Sequence, residues 1–228
     1  RNGHDVYVSD AVERGRASWC CVPGVYEGSV VTRTKQECWE GFRCGPAGSW
    51  DPDPAKRKAY DGQRFPVDAI DAFHRQTVPR WTTSDVPTQR AYDRLVRKVG
   101  PAVIMVHSQG GNFGFTAALH APDKVRAYIG IEPSGTPDLT SADLATIRDI
   151  PHLIVWGDYI DITPQWVESR GRVEAYSDAV RAAGGTFDII DLPALGIKGN
   201  SHFPMMDDNS DQVAALVQDW MTQQSLMK

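Results

Sequence analysis

Ser108 is the residue best placed for covalent chemistry, because it stands where an apolar run stops and a glycine-rich turn begins. In Pro101 to Leu119, PAVIMVHSQGGNFGFTAAL, the run Val103 to Val106 reads as a short strand buried on both faces. Gly110, Gly111 and Gly114 follow at once. Phe113, Phe115, Ala117, Ala118 and Leu119 continue at spacings that suit a packed helix, and Pro122 stops it. A hydroxyl on such a sharp strand-to-helix turn is held clear of its neighbours. The N–H of Gln109 and the positive end of the helix then point to where an oxyanion would form. This is the arrangement of a nucleophile elbow.

A serine hydroxyl attacks poorly until a base takes its proton and an acid orients that base. Six histidines are available. His107 adjoins the serine, so its side chain is expected to point away from it. His4, His74, His120 and His152 sit near element ends or in irregular sequence, and His202 closes a glycine-rich loop, Gly196 to His202. Among the carboxylates, Glu132 opens the turn Glu132-Pro133-Ser134-Gly135 after an apolar run, at the strand edge where sites form in open α/β sheets. Asp158 and Asp161 follow another such run.

The elements that must position these groups alternate. The pattern predicts strands at 5–9, 103–106, 125–131, 151–156 and 187–192. It predicts helices at 67–74, at 88–99 capped by Thr88, at 141–148 capped by Ser141, at 173–183 closing on Gly184-Gly185, and at 207–221 with Val213, Leu216, Val217 and Trp220 inward. Strands alternating with helices indicate a mostly parallel sheet covered on both faces. Residues 19–87 hold no sustained period and many turn dipeptides, which reads as a long functional insertion such as a cap. Trp39, Trp50 and Trp81 within it either line a pocket or pack the insertion together, packing being favoured.

The 228 residues, 41% of them hydrophobic, suffice for one domain, 1–228, with 19–87 as its cap. The net charge of −5 comes without a basic block, so a nucleic-acid footprint is absent. No segment approaches the ~18 apolar residues of a membrane span. The chain begins at Arg1, so an upstream segment is expected. Cys20, Cys21, Cys38 and Cys44 cluster in irregular sequence, which favours disulfides, Cys38 to Cys44 among the options, and an oxidising, secreted or periplasmic setting. Metal-ligand spacing is missing, and neither metal nor organic cofactor is called for.

These residues resemble the α/β-hydrolase superfamily, whose elbow usually reads G-x-S-x-G. Val106-His107-Ser108-Gln109-Gly110 keeps the serine and the second glycine but has a β-branched residue where the first glycine is usual, which crowds the following helix. Asp5 to Ser9 with Asp10 to Ser18 is similar to the superfamily's fourth strand and the turn after it. By that match strands one to three lie upstream of Arg1, either on a separate or cleaved chain that would be this chain's partner or in sequence outside the 228 residues. The resemblance makes His202 the base, since superfamily members keep it between the last strand and the last helix, and makes Asp161 the usual acid, with Asp158 behind it.

A small group of bacterial esterases uses a glutamate after strand six instead. The chain resembles that group in RGRAS near the start, HSQ at the elbow, the EP turn, the GD turn after PHLIVW and LPALGIKGNSH before the last helix. That resemblance implies Glu132 as the acid in preference to Asp161. It also implies a serine esterase working through an acyl-enzyme on a small ester, with lactone, thioester or amide cleavage, or a non-catalytic binding module, as alternatives. The group carries a vicinal disulfide in its oxyanion loop. Cys20-Cys21 comes after RGRAS rather than before that turn, so these are read as cap cysteines paired with Cys38 or Cys44.

Overall fold

Four apolar runs associate in the order in which they occur. A computed structural model describes residues 3–12, 30–138 and 143–227, and in it β1 (Ala102–His107), β2 (Val125–Ile131), β3 (His152–Trp156) and β4 (Phe187–Asp191) form one parallel sheet in sequential order. Parallel neighbours require crossovers, and the helices supply them on both faces. Tyr128, Ile154 and Trp156 face α4 (Gly110–His120) and α6 (Pro164–Ala182), where Phe115, Trp166, Val173, Tyr176 and Val180 close one core. Ala127, Ile129, Ile131, Leu153 and Val155 face the opposite way, onto Val213, Val217, Trp220 and Met221 of α7 (Ser210–Gln223). Each such large side chain contributes roughly 1.5–3 kcal/mol by leaving water. Among the described residues β1 and β4 are the edge strands; β1 is half-buried, with Met105 56% exposed.

The elbow tolerates Val106 because the helix opposite lacks side chains there. A Cβ on Gly114 would lie 2.8 Å from Val106 Cγ1 and 2.8 Å from Tyr128 Cε2. The crowding expected of a β-branched residue is thus relieved from the helix side.

Several boundaries move, each for a local reason. The predicted helix 88–99 begins earlier, as α3 (Asp85–Val99), with Thr88 buried inside it rather than capping it. The helix predicted from residue 173 begins at Pro164, a favoured first-turn residue. Trp166, Ser169, Val173, Tyr176 and Val180 make one buried stripe, broken in the sequence by the polar Ser169. The predicted 207–221 helix starts at Ser210, because Asp207 is committed to side-chain bonding before it. α1 (Lys35–Gly41) arises in the stretch expected to lack pattern, with a capping box between Thr34 and Glu37. Helix 67–74 forms as a 3₁₀ turn running into α2 (Ile70–His74), and α5 (Leu144–Ile147) covers part of the predicted 141–148 helix, whose Ser141 cap lies outside the described residues.

Two expectations are corrected. Residues 5–9 form no strand: Val6, Tyr7 and Val8 are 76%, 72% and 92% exposed, and among the described residues no strand lies beside them to complete a ladder, without which alternation does not hold extended structure. Cys38 and Cys44 form no disulfide with each other; both are free and buried, Cys44 in a cluster with Trp39, Phe65 and Ile70 where it packs as a small apolar side chain. Cys20, Cys21 and the RGRAS turn lie outside the described residues. Trp39 and Trp50 do pack the insertion, their rings 5.7 Å apart.

Candidate active site

Ser108 occupies a backbone conformation that a residue with a Cβ rarely adopts, φ +53°. It is held there from both sides. Its N–H donates to the Ile131 carbonyl (3.2 Å), and its own carbonyl accepts from Gly111 N–H (2.9 Å) and Ser134 N–H (3.0 Å). The elbow is therefore bonded to the end of β2 and to the turn that carries Glu132. Gln109 directly precedes α4, whose first amides have no acceptor within the helix.

Glu132 is also at positive φ, +50°, and is fully buried. Its Oε2 lies 3.1 Å from His202 Nδ1. Its Oε1 accepts from Gly157 N–H and, at 2.6 Å, from Arg43 Nη2. Gly157 is required at this approach, since a Cβ there would sit 2.7 Å from Oε1. Burial by itself would raise the Glu132 carboxyl; Arg43 and the bond from His202 outweigh it and hold the group below the usual carboxylate range. An ionised Oε2 accepts, so His202 carries its proton on Nδ1 and presents an unprotonated Nε2. That Nε2 is buried without a hydrogen-bond partner among the described residues. Burial keeps the His202 ring neutral, its pKa lowered.

His202 is oriented by more than its acid. Its N–H donates to the Phe42 carbonyl (3.0 Å), and the ring lies 4.1 Å from Trp166 and 5.6 Å from Phe42 by centroids. Asp207 accepts from Ser201 N–H, Ser201 Oγ and Asn200 Nδ2, fixing the loop just before it. His107 departs from its expected role: rather than merely pointing away, its Nε2 donates to the His202 carbonyl at 2.7 Å. The other histidines lie elsewhere. His152 is stacked in the core on Phe187, His74 is buried beside Trp50, His120 pairs with Asp93, and His4 reaches Gln218. Asp161 is exposed, with no hydrogen bond to His202, and Asp158 accepts from Tyr159 N–H and Gly199 N–H instead. Of the three candidate acids, only Glu132 is hydrogen-bonded to the histidine among the described residues.

Arg43, Asp207 and Trp166 were not legible as site residues. Arg43 is fully buried, at φ +60°, and also donates through Nε to the Asp158 carbonyl at 2.7 Å. Nothing local in the sequence sets it apart from the exposed arginines. For Trp166 a signal existed in its spacing to Val173 and Tyr176 on α6.

Ser108, Gln109, His107, His202, Trp166 and Phe203 share one cleft of about 730 Å³. Three histidines, two at the cleft and one in the core, give the fold a pH signature. Burial depresses the pKa of His107, of His202 and of His152, the last to about 4. The unfolded chain takes up protons below about pH 6.5 that the folded chain refuses, so each such histidine costs about 1.4 kcal/mol of stability per pH unit well below that value. Stability is thus full above the unfolded histidine pKa and lost as pH falls. Melting temperature should drop steeply between roughly pH 7 and pH 5; a flat profile would mean these rings are protonated in the fold.

Comparison with solved structures finds one described as a novel bacterial esterase, 33% identical and superimposing with a TM-score of 0.77 over 89% of this chain. The parallel sheet with helices on both faces is an α/β-hydrolase fold. A curated relative, a probable secreted lipase of a fungal species (strain ATCC 74256), is 22% identical over 98% of this chain and 73% of its own length. The chain spans 62% of the length of the bacterial esterase structure. No family model matches. Among the described residues, no helix is long and apolar enough to cross a membrane.

Proposed function

We propose that this chain is the catalytic part of a serine esterase. Ser108 Oγ attacks the acyl carbon of a carboxylic ester while His202 Nε2 takes the hydroxyl proton. The carbonyl π electrons move onto oxygen, and the oxyanion receives a hydrogen bond from Gln109 N–H. His202 returns the proton to the leaving alkoxy oxygen as the tetrahedral intermediate collapses to an acyl-enzyme. Water, deprotonated by His202, then repeats the sequence and releases the acid and Ser108. Glu132 holds the imidazolium throughout, itself held ionised by Arg43. No metal or organic cofactor enters these steps.

The observation that carries this reading is the bond of His202 Nδ1 to the Glu132 carboxylate, with Nε2 left unpartnered beside the cleft that Ser108 lines. A relative described as a secreted lipase and a fold neighbour described as an esterase support ester cleavage, and the lipase supports secretion. The insertion within 19–87 acts in this reading as a cap that also contributes Arg43 and the Phe42 carbonyl. A fluorophosphonate probe tests the proposal: an adduct mapping to the Ser108 peptide is expected, and a folded chain that stays unlabelled would return it to a non-catalytic module.

A further inference from the structure

We propose that the cleft takes an ester bearing an anionic group, recognised by Arg33 and Arg80; this rests on the esterase reading above. The chain is acidic, with a net charge of −5. Its cleft is not. Arg33, Arg80 and Arg172 all line it, and among its described lining residues there is no aspartate or glutamate. His202 adds no charge, being held neutral, and Arg43 lies beneath with its charge matched by Glu132.

The three arginines differ in what they are free to do. Arg172 is engaged by Glu168 and by the Ser134 carbonyl. Arg33 and Arg80 make no side-chain hydrogen bond or ion pair among the described residues. The carboxylate nearest Arg33 in the sequence, Glu37, is bonded to Thr34 in capping α1; it feels the Arg33 charge but forms no ion pair with it. The two arginine-bearing segments are tied together by an antiparallel bridge, Val31 N–H to the Arg80 carbonyl at 2.7 Å and Arg80 N–H to the Val31 carbonyl at 2.9 Å. Two guanidiniums whose N–H donors are unbonded among the described residues, on a shared wall, suit a carboxylate or phosphate, whose oxygens match the planar donor fork. The cleft's other wall, with Trp166, Phe42 and Phe203 around His202, suits the apolar remainder of the same ester.

Binding to the Ser108→Ala variant, which requires no turnover, tests this. Monomethyl glutarate carries its anion on the acyl side, a monoacyl glycerophosphate carries it on the alcohol side, and methyl butyrate and a monoacylglycerol are the matched neutral esters. At least one anionic probe should bind about tenfold tighter than its neutral match, as one charged hydrogen-bonding partnership predicts. That ratio should fall toward one on adding Arg33→Gln with Arg80→Gln, and it should shrink with salt. The arm that shows it tells which side of the ester faces the arginines. Equal binding of anionic and neutral probes, or a preference that survives loss of both arginines, overturns the proposal. Failure of the wild type to hydrolyse any of these esters would instead count against the esterase reading, and the titration would still decide the anion subsite.

Discussion

Ser108→Ala is expected to lower kcat by on the order of 10⁶ on any ester the wild type hydrolyses, and to abolish the fluorophosphonate adduct, with the fold retained. The size follows from what is lost: a triad acts as a unit, and without the oxygen nucleophile the imidazole and carboxylate have no bond to make. The fold survives because the constraints on residue 108 are backbone bonds, to Ile131, Gly111 and Ser134, which alanine also makes. Ser108→Gly sharpens the test. Glycine adopts φ near +53° without the Cβ penalty, so this variant should be equally inactive but more stable by about 1 kcal/mol. A serine kept in a strained conformation that glycine would relieve is what a chemical role predicts. Activity persisting in either variant would remove Ser108 from the mechanism.

Arg43→Met should destabilise the protein by about 3–5 kcal/mol, because it leaves the Glu132 carboxylate buried with its ion partner gone. Both side chains are wholly buried, so no solvent screens the loss. With only the bonds from Gly157 and His202 left, the carboxyl pKa should rise, and once protonated the carboxyl no longer fixes the His202 proton on Nδ1. The acid limb of kcat/KM should therefore move as well as the melting temperature, which packing loss alone would not produce. Glu132→Gln should lower kcat by on the order of 10⁴, the scale seen when a triad acid is neutralised. Combining Glu132→Gln with Arg43→Met should be clearly less destabilising than the sum of the two, since the second change removes a charge that the first had orphaned. Asp161→Asn, at an exposed carboxyl, should leave stability within about 0.5 kcal/mol and kcat near wild type. Additive effects in the cycle, or a larger catalytic loss from Asp161→Asn than from Glu132→Gln, would move the acid away from Glu132.

The strained backbone ties these two predictions together. Of the five non-glycine residues at positive φ among the described residues, Arg43, Ser108 and Glu132 are three. Each costs of order 1–3 kcal/mol and persists because its surroundings over-determine it.

What the amino-acid sequence determined by itself is local and periodic. The four parallel strands, the helices after β1 and β4, the elbow at Ser108 and the turn at Glu132 all rest on apolar runs, glycines and prolines adjacent in the chain, and appear near their expected bounds; the helix after β3 was legible only in its second half, from residue 173. The preference for Glu132 over Asp161 came from resemblance, and nothing in the spacing of the chain brings Glu132 to His202. What only the tertiary structure decided involves groups far apart in sequence. Arg43 reaches Glu132 across 89 residues, and His107 reaches the His202 carbonyl across 95. The same distance hid the outcome for residues 5–9, whose alternation was real but whose ladder had no partner, and for Cys38 and Cys44, which are near in sequence yet packed as free thiols. Periodicity reports which face of an element is buried; it carries no information about which distant charge will be buried against it. That choice is made by the sheet when it sets the β2 and β3 edges beside the loop of His202 and brings Arg43 beneath them.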